Sequence, residues 1–472
     1  MKKLLSVLLV ISMLITTCVL FTSCNKVTIK NVENKPYETL NNAYKDAMAE
    51  FLTDDANIKR AIGGTLKNGA ATISLESKSL LGDAGINKIS DTIYFDAQNK
   101  KYVNDITVNL KDQDIAGRFF IDKNGILISS EDVLNNKNTY GIYPETLAQK
   151  FKTSAIASTI FAGQNHDEIQ DMLNKFKEAY KEVFEAEETN IEAEFNKLAG
   201  LLKQTFTEEK IEKTNYIVAT YTISNATITD LLNAYKDDIN KIAEASGEEG
   251  DISDLIKDMN ESLDFDFAIK VYINAKTALI EKNTISGVLT NKEDDENVTG
   301  TINGEITFAA QAINVKLEAK NTSTDESAKF EAVINKTVDG SLVKFDVNVK
   351  VSEDDISKEM NPYTYTFNKD SGDFTIKLDL SDIVDDEKAI IVVSGNIKSD
   401  NSGAEIVITS VKYDDTTINL NLSIKFEPNK QIPQAPSDVK DVVDMTEDDI
   451  MNIMNGITTS KLGKLLGLNQ AL

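Results

Sequence analysis

The chain has 472 residues, long enough for two domains or one large β-body, and carries 76 acidic against 50 basic side chains, a formal charge of −26. So acidic a body repels nucleic acid and anionic headgroups, which argues against DNA or RNA binding and against peripheral membrane binding through the folded part. A single histidine excludes histidine-ligated zinc, and the absence of tryptophan argues against the aromatic platforms with which a sugar cleft is usually lined.

Lys2 and Lys3 open an apolar run from Leu4 to Leu20, closed by Phe21-Thr22-Ser23-Cys24. About 20 apolar residues could just span a bilayer, but the charged start and the small residues before a cysteine fit a cleaved export signal better. This stretch resembles the lipobox of bacterial lipoproteins, although Phe21 stands where that family usually has leucine. The resemblance implies that residues 1–23 are removed and that Cys24 is lipidated through sulfur and N-acylated, on the extracytoplasmic face of the cell membrane. Two or more acyl chains are what stable anchoring needs. Cys18 leaves with the signal, so the mature chain has no free thiol, and without Lys2 and Lys3 its charge becomes −28.

Residues 24–36 are polar and read as a tether. From Pro36 the apolar residues Tyr37, Leu40, Tyr44, Ala47, Met48 and Phe51 recur at helical spacing. Between Ala70 and Ser130 the period falls to two, in about five short runs, with Asp122-Lys123-Asn124-Gly125 as a hairpin turn. Pro144 begins a helix running toward Phe161. Asn165 with Glu168 and Thr189 with Glu192 have capping-box spacing, ahead of a stripe of Ile169, Leu173, Phe176, Tyr180, Val183 and Phe184 and a second of Phe195, Leu198, Leu201 and Leu202. Tyr216 to Ile223 is a strand, Thr227 caps a helix reaching Ile242, residues 246–250 form a loop, and Ile252 to Met259 form a short helix. From Leu263 to Phe426 about eleven strands alternate apolar and polar residues, the mark of an antiparallel sheet with one wetted face. Pro428, Pro433 and Pro436 end the sheet, and a last helix is predicted from Thr446 to Leu466. The expected organisation is thus 1–23 signal, 24–36 tether, 37–262 meander plus helical segment, 263–430 antiparallel β segment, and 431–472 linker and C-terminal helix. The fold class is α+β and β-rich, a large curled or two-layer antiparallel sheet.

Candidates for chemistry are few. His166 sits beside Asp167 and Glu168 at a predicted helix start, where it reads as a first-turn surface residue, and no Gly-x-Ser-x-Gly elbow accompanies it. Asp370-Ser371-Gly372 matches the aspartic-protease triplet but falls where a hairpin needs Asp and Gly. Ser341-x-x-Lys344 and Ser399-Asp400-Asn401 are similar to motifs of penicillin-recognising enzymes, yet Ser341 and Lys344 would point to opposite faces of a strand. The acidic runs Glu293-Asp294-Asp295-Glu296 and Glu353-Asp354-Asp355 lack the alternation of a calcium loop and read as solvated turns. No catalytic, cofactor or metal residue is assigned, and the only site residue is Cys24.

The N-terminal helix, the meander, the edge at Tyr140-Gly141-Ile142-Tyr143, the inserted helices and the long β-run together resemble several uncharacterised β-rich bacterial lipoproteins and, more distantly, the LolA and LppX group. That group wraps an apolar cavity in a curved sheet, so the resemblance implies a lipid or lipoprotein chaperone. The residues themselves favour a non-enzymatic structural or interaction module with a surface protein as partner, and the alternative is a carrier of an apolar ligand.

Overall fold

The structure is a computed structural model that describes residues 28–51, 63–185, 190–237, 239–240, 252–292, 298–322, 324, 326–353, 356–381 and 389–468. Cys24, the signal, Thr189, the loop at 246–250, the run 293–296 and residues 354–355 lie outside them. Strands are numbered β1–β20 and helices α1–α12 in chain order. The expected class holds: a β-rich α+β chain, built on large antiparallel ladders, with N-terminal, inserted and C-terminal helices.

Two compact units divide the chain, Met1–Asp54 with Thr189–Thr366, and Asp55–Glu188 with Phe367–Leu472. The boundary expected at 262/263 is therefore not where the chain divides. The reason is strand pairing. In the first unit β8 (Thr214–Ser224) pairs with β9 (Leu263–Asn274), and in the second β1 (Asn68–Glu76) pairs with β19 (Thr416–Pro428).

In the first unit β7 (Thr205–Ile211), β8, β9, β10 (Ile280–Asn291), β11 (Val298–Ala309), β12 (Ala312–Asn321), β13 (Ser327–Asp339) and β14 (Leu342–Glu353) pair antiparallel in chain order. Most of β15 (Ile356–Asn368) also belongs here, with Tyr365 stacked on Phe345 at 6.1 Å. The register of β13 and β14 sorts most of the side chains, with Lys336 standing in the apolar row and Val333 in the polar one. Phe330, Ala332, Ile334 and Val338 share a face with Val343, Val347, Val349 and Val351, while Lys329, Glu331 and Asn335 share the other with Asp346, Lys350 and Ser352. Helices α1 (Ile29–Asn34) and α2 (Pro36–Phe51) close the core, where Val32, Leu40 and Ala43 meet Ile217, Ala219, Val271 and Ile273. The tether expected over 24–36 is thus corrected in its described part. Ile29 and Val32, one helical turn apart, face this core, and Val32 is fully buried. Further helices of the unit are α8 (Ile191–Leu201), α9 (Asn225–Ala234) and α10 (Ile252–Ser262). Asn190 caps α8 by accepting from the Ala193 amide. The cap of α9 is Ser224, with Thr227 at the third helical position in a reciprocal box, so Thr227 is not itself the cap.

In the second unit the ladder runs β16 (Asp373–Asp379), β17 (Ile390–Ser399), β18 (Ala404–Tyr413), β19, β1, β2 (Ile86–Asp96), β3 (Lys101–Leu110), β4 (Gln113–Asp122), β5 (Gly125–Ser129), β6 (Thr139–Ile142) and β20 (Val439–Asp441). Every step is antiparallel except β6 with β20, which is parallel. The Tyr140 strand is therefore not an edge. Short helices α3 (Lys78–Leu81) and α4 (Glu131–Leu134) follow β1 and β5. The helix expected from Pro144 to Phe161 is two, α5 (Pro144–Lys150) and α6 (Ala155–Thr159), because Ser154 turns extended and accepts from the Ala157 amide to start the second. α7 (His166–Glu185) begins as expected, with Asn165 Nδ2 donating to Glu168 and Asn165 Oδ1 accepting from the Asp167 amide. Its apolar stripe is only partly used: Ile169 is buried and Leu173 packs near it, whereas Phe176 and Val183 stay exposed. The last helix is also two, α11 (Glu447–Thr459), capped by Thr446, and α12 (Lys461–Leu466), capped by Ser460.

Candidate functional site: an apolar pocket in the first unit

The motifs weighed for catalysis are placed as follows in the fold. His166 is half-buried, with Nε2 3.1 Å from the Phe161 carbonyl and its ring edge-on to Phe151 at 5.9 Å. Its neighbour Asp167 pairs with Lys152, which holds the carboxyl below its ordinary range. In Asp370-Ser371-Gly372 the amides of Asp370 and Ser371 donate to Asn368 Oδ1, and Gly372 has φ of 77°, so the triplet is a hairpin turn. Ser341 lies in the turn before β14, and Asp400 Oδ1 accepts from the amides of Ser402 and Gly403 in another turn. Among the described residues no group of three or more His, Cys, Asp or Glu could hold a metal ion, and no described helix is long and apolar enough to cross a membrane.

What the fold does build is a pocket that no motif announces. Tyr37, Leu40, Asn41 and Tyr44 of α2 form one wall, Phe195, Leu198 and Ala199 of α8 and Ile228 and Leu231 of α9 form the roof, and the floor is Tyr221, Ile223, Ile269, Val271, Ile280 and Asn283 from β8, β9 and β10. It holds about 140 Å³ of free space. The wall is fixed by aromatic contacts, Tyr37 on Phe195 at 5.4 Å and Tyr44 edge-on to Phe308 at 5.5 Å. Tyr235, just beyond α9, donates to Glu194 of α8 at 2.9 Å, and the Lys197 ammonium lies 4.0 Å from its ring centre, tying the two roof helices together. On the other side of α9, Asn225 donates to Asn260 and to the Leu263 carbonyl and accepts from the Phe265 amide, which fixes that helix against α10 and β9.

The polar groups of the pocket are few and differ in their satisfaction. Tyr221 accepts from Gln204 Nε2 at 2.6 Å. Burial pushes the Tyr44 hydroxyl above its ordinary pKa, so it remains a neutral donor. Asn283 is 8% exposed, and its Oδ1 has no hydrogen-bond partner among the described residues. An unsatisfied buried amide oxygen costs about 1–3 kcal/mol. Its place follows from register: Asn283 lies opposite Val271 and Ile285 opposite Ile269, so Asn283 stands in the apolar row of β10. A polar residue on the apolar face was the one signal in the sequence that could have marked the site.

No family model, no curated protein and no solved structure matches this chain.

Proposed function

We propose that the protein is an extracytoplasmic lipoprotein, held on the membrane by lipid on Cys24, and that its β-rich body is a non-enzymatic interaction module. The observation that supports the module is the open end of an apolar sheet face. Phe330 and Val351 oppose each other across β13 and β14 on the apolar row and are 37% and 41% exposed, and Val338 farther along the same row is 46% exposed. Adjacent uncovered apolar side chains in a sheet suit a partner surface. Changing Cys24→Ala should release the protein from membranes or leave the precursor uncut; unchanged attachment with a cleaved N-terminus refutes the anchor. Native mass spectrometry of protein taken from membranes tests the module. A protein partner that is lost on Phe330→Asp supports it, and co-purified phospholipid with no protein partner overturns it.

A second reading has its own observation. The apolar pocket suits the carriage of a small ligand, although about 140 Å³ falls below the roughly 300–1,000 Å³ of drug-sized sites. A cavity of about 150 Å³ holds benzene. On that scale a phospholipid is too large a cargo.

A further inference from the structure

We infer that the pocket of the first unit is a binding site for a small, single-ring or branched apolar molecule carrying one hydroxyl, which hydrogen-bonds the side-chain amide of Asn283. The inference rests on the second reading above and is independent of lipid on Cys24.

Three observations converge on it. The free space of about 140 Å³ matches one six-membered ring, by comparison with the benzene-sized cavity of about 150 Å³. The lining is apolar or aromatic apart from Asn41, Asn283 and the tyrosine hydroxyls, so the body of the ligand must be apolar. Asn283 is more than nine-tenths buried and its Oδ1 has no partner among the described residues, so a donor is missing at one point on the wall. A hydroxyl can both donate to the amide oxygen and accept from the amide nitrogen. A carboxylate would enter an acidic protein with no cation among the lining residues, and an ammonium would be desolvated without a counter-charge there. A neutral hydroxyl is the remaining match.

The test uses the full chain and two probes that differ by one group, para-fluorophenol and fluorobenzene, with binding read by fluorine NMR line broadening. The phenol should bind roughly tenfold more tightly, the worth of one neutral hydrogen bond. In Asn283→Leu the ratio should fall to about one while fluorobenzene still binds. Should that variant not fold, Asn283→Ala serves for the same ratio. In Ala199→Phe, where a ring fills the space, both probes should lose binding. Equal binding of the two probes to the native chain, or a preference for the phenol that survives loss of the amide, overturns the hydroxyl assignment. Binding unaffected by Ala199→Phe overturns the pocket itself, whereas the lipoprotein and module reading is decided separately by membrane fractionation and partner recovery.

Discussion

Strands β9 and β19 read alike in the sequence, each with an apolar residue at every second position, and the structure treats them differently. In β9 Phe267, Ile269, Val271 and Ile273 are buried, Ile273 completely. In β19 none of Ile418, Leu420, Leu422, Ile424 and Phe426 passes beyond half-buried. Both sit inside their ladders, paired on two sides. The difference is what lies on the face. Val32, Leu40 and Ala43 of two helices cap Val271 and Ile273 in the first unit, whereas in the second the row Leu75, Leu422 and Ile408 continues sideways along the sheet. Alternation thus states which face is apolar, and only a covering layer makes it a core.

That contrast can be broken at its strongest point first. Ile273→Ala should lower unfolding free energy by on the order of 3 to 5 kcal/mol, since it leaves a cavity in a sealed layer. A loss below that of any β19 variant in denaturant titration would mean the helices do not seal it. Next comes Lys45 on α2, which is 7% exposed and whose ammonium burial pulls down to a pKa of about 8. The unfolded chain keeps this lysine protonated to about 10.5, so between those values the unfolded state binds more protons and stability should rise with pH. Below about 8 the penalty is fully present, and Lys45→Met should gain roughly 2 to 3 kcal/mol there, with the rise abolished. A flat native profile from pH 7 to 11 would refute the burial of this charge. Leu422→Ala, in the half-covered row of β19, should lose only about 1 to 2 kcal/mol, because less surface leaves water and no sealed void forms. Asn421→Ala on the wetted face should stay within about 0.5 kcal/mol; a larger loss there than at Leu422 would reverse the register.

The five-strand meander and the eleven strands after Leu263 were legible because a period of two is imposed by any sheet with one wet face. β7 escaped because it pairs with β8 alone among the described ladders, and Thr205 to Ile211 carries only two large apolar residues. β20 escaped for a different reason: three residues, one of them Lys440, in a proline-rich stretch make no pattern, and only pairing with β6 gives them their form. Helical stripes were over-read, since periodicity cannot say that Phe176 and Val183 of α7 would stay exposed. The pocket was least legible of all. Its walls come from residues 37–44, 195–231 and 269–283, and no local window contains them together. Only Asn283, polar in an apolar row, left a trace.

The pairing of β1 with β19 sets an order of events for a growing chain. Ile73 must find Ile424, so the middle seam of the second unit cannot close until nearly the whole polypeptide exists. Until then the β1–β5 meander holds together by local pairings, with the far side of β1 offering a row of unpaired amides and carbonyls. Such an edge invites pairing with another copy. The intervening residues 189–366 belong to the first unit, and their early compaction would shorten the loop that the seam must close. Ribosome-stalled or truncated chains ending before Thr416 should therefore be the aggregation-prone species of this protein, and the completed strand β19 should be what ends that exposure.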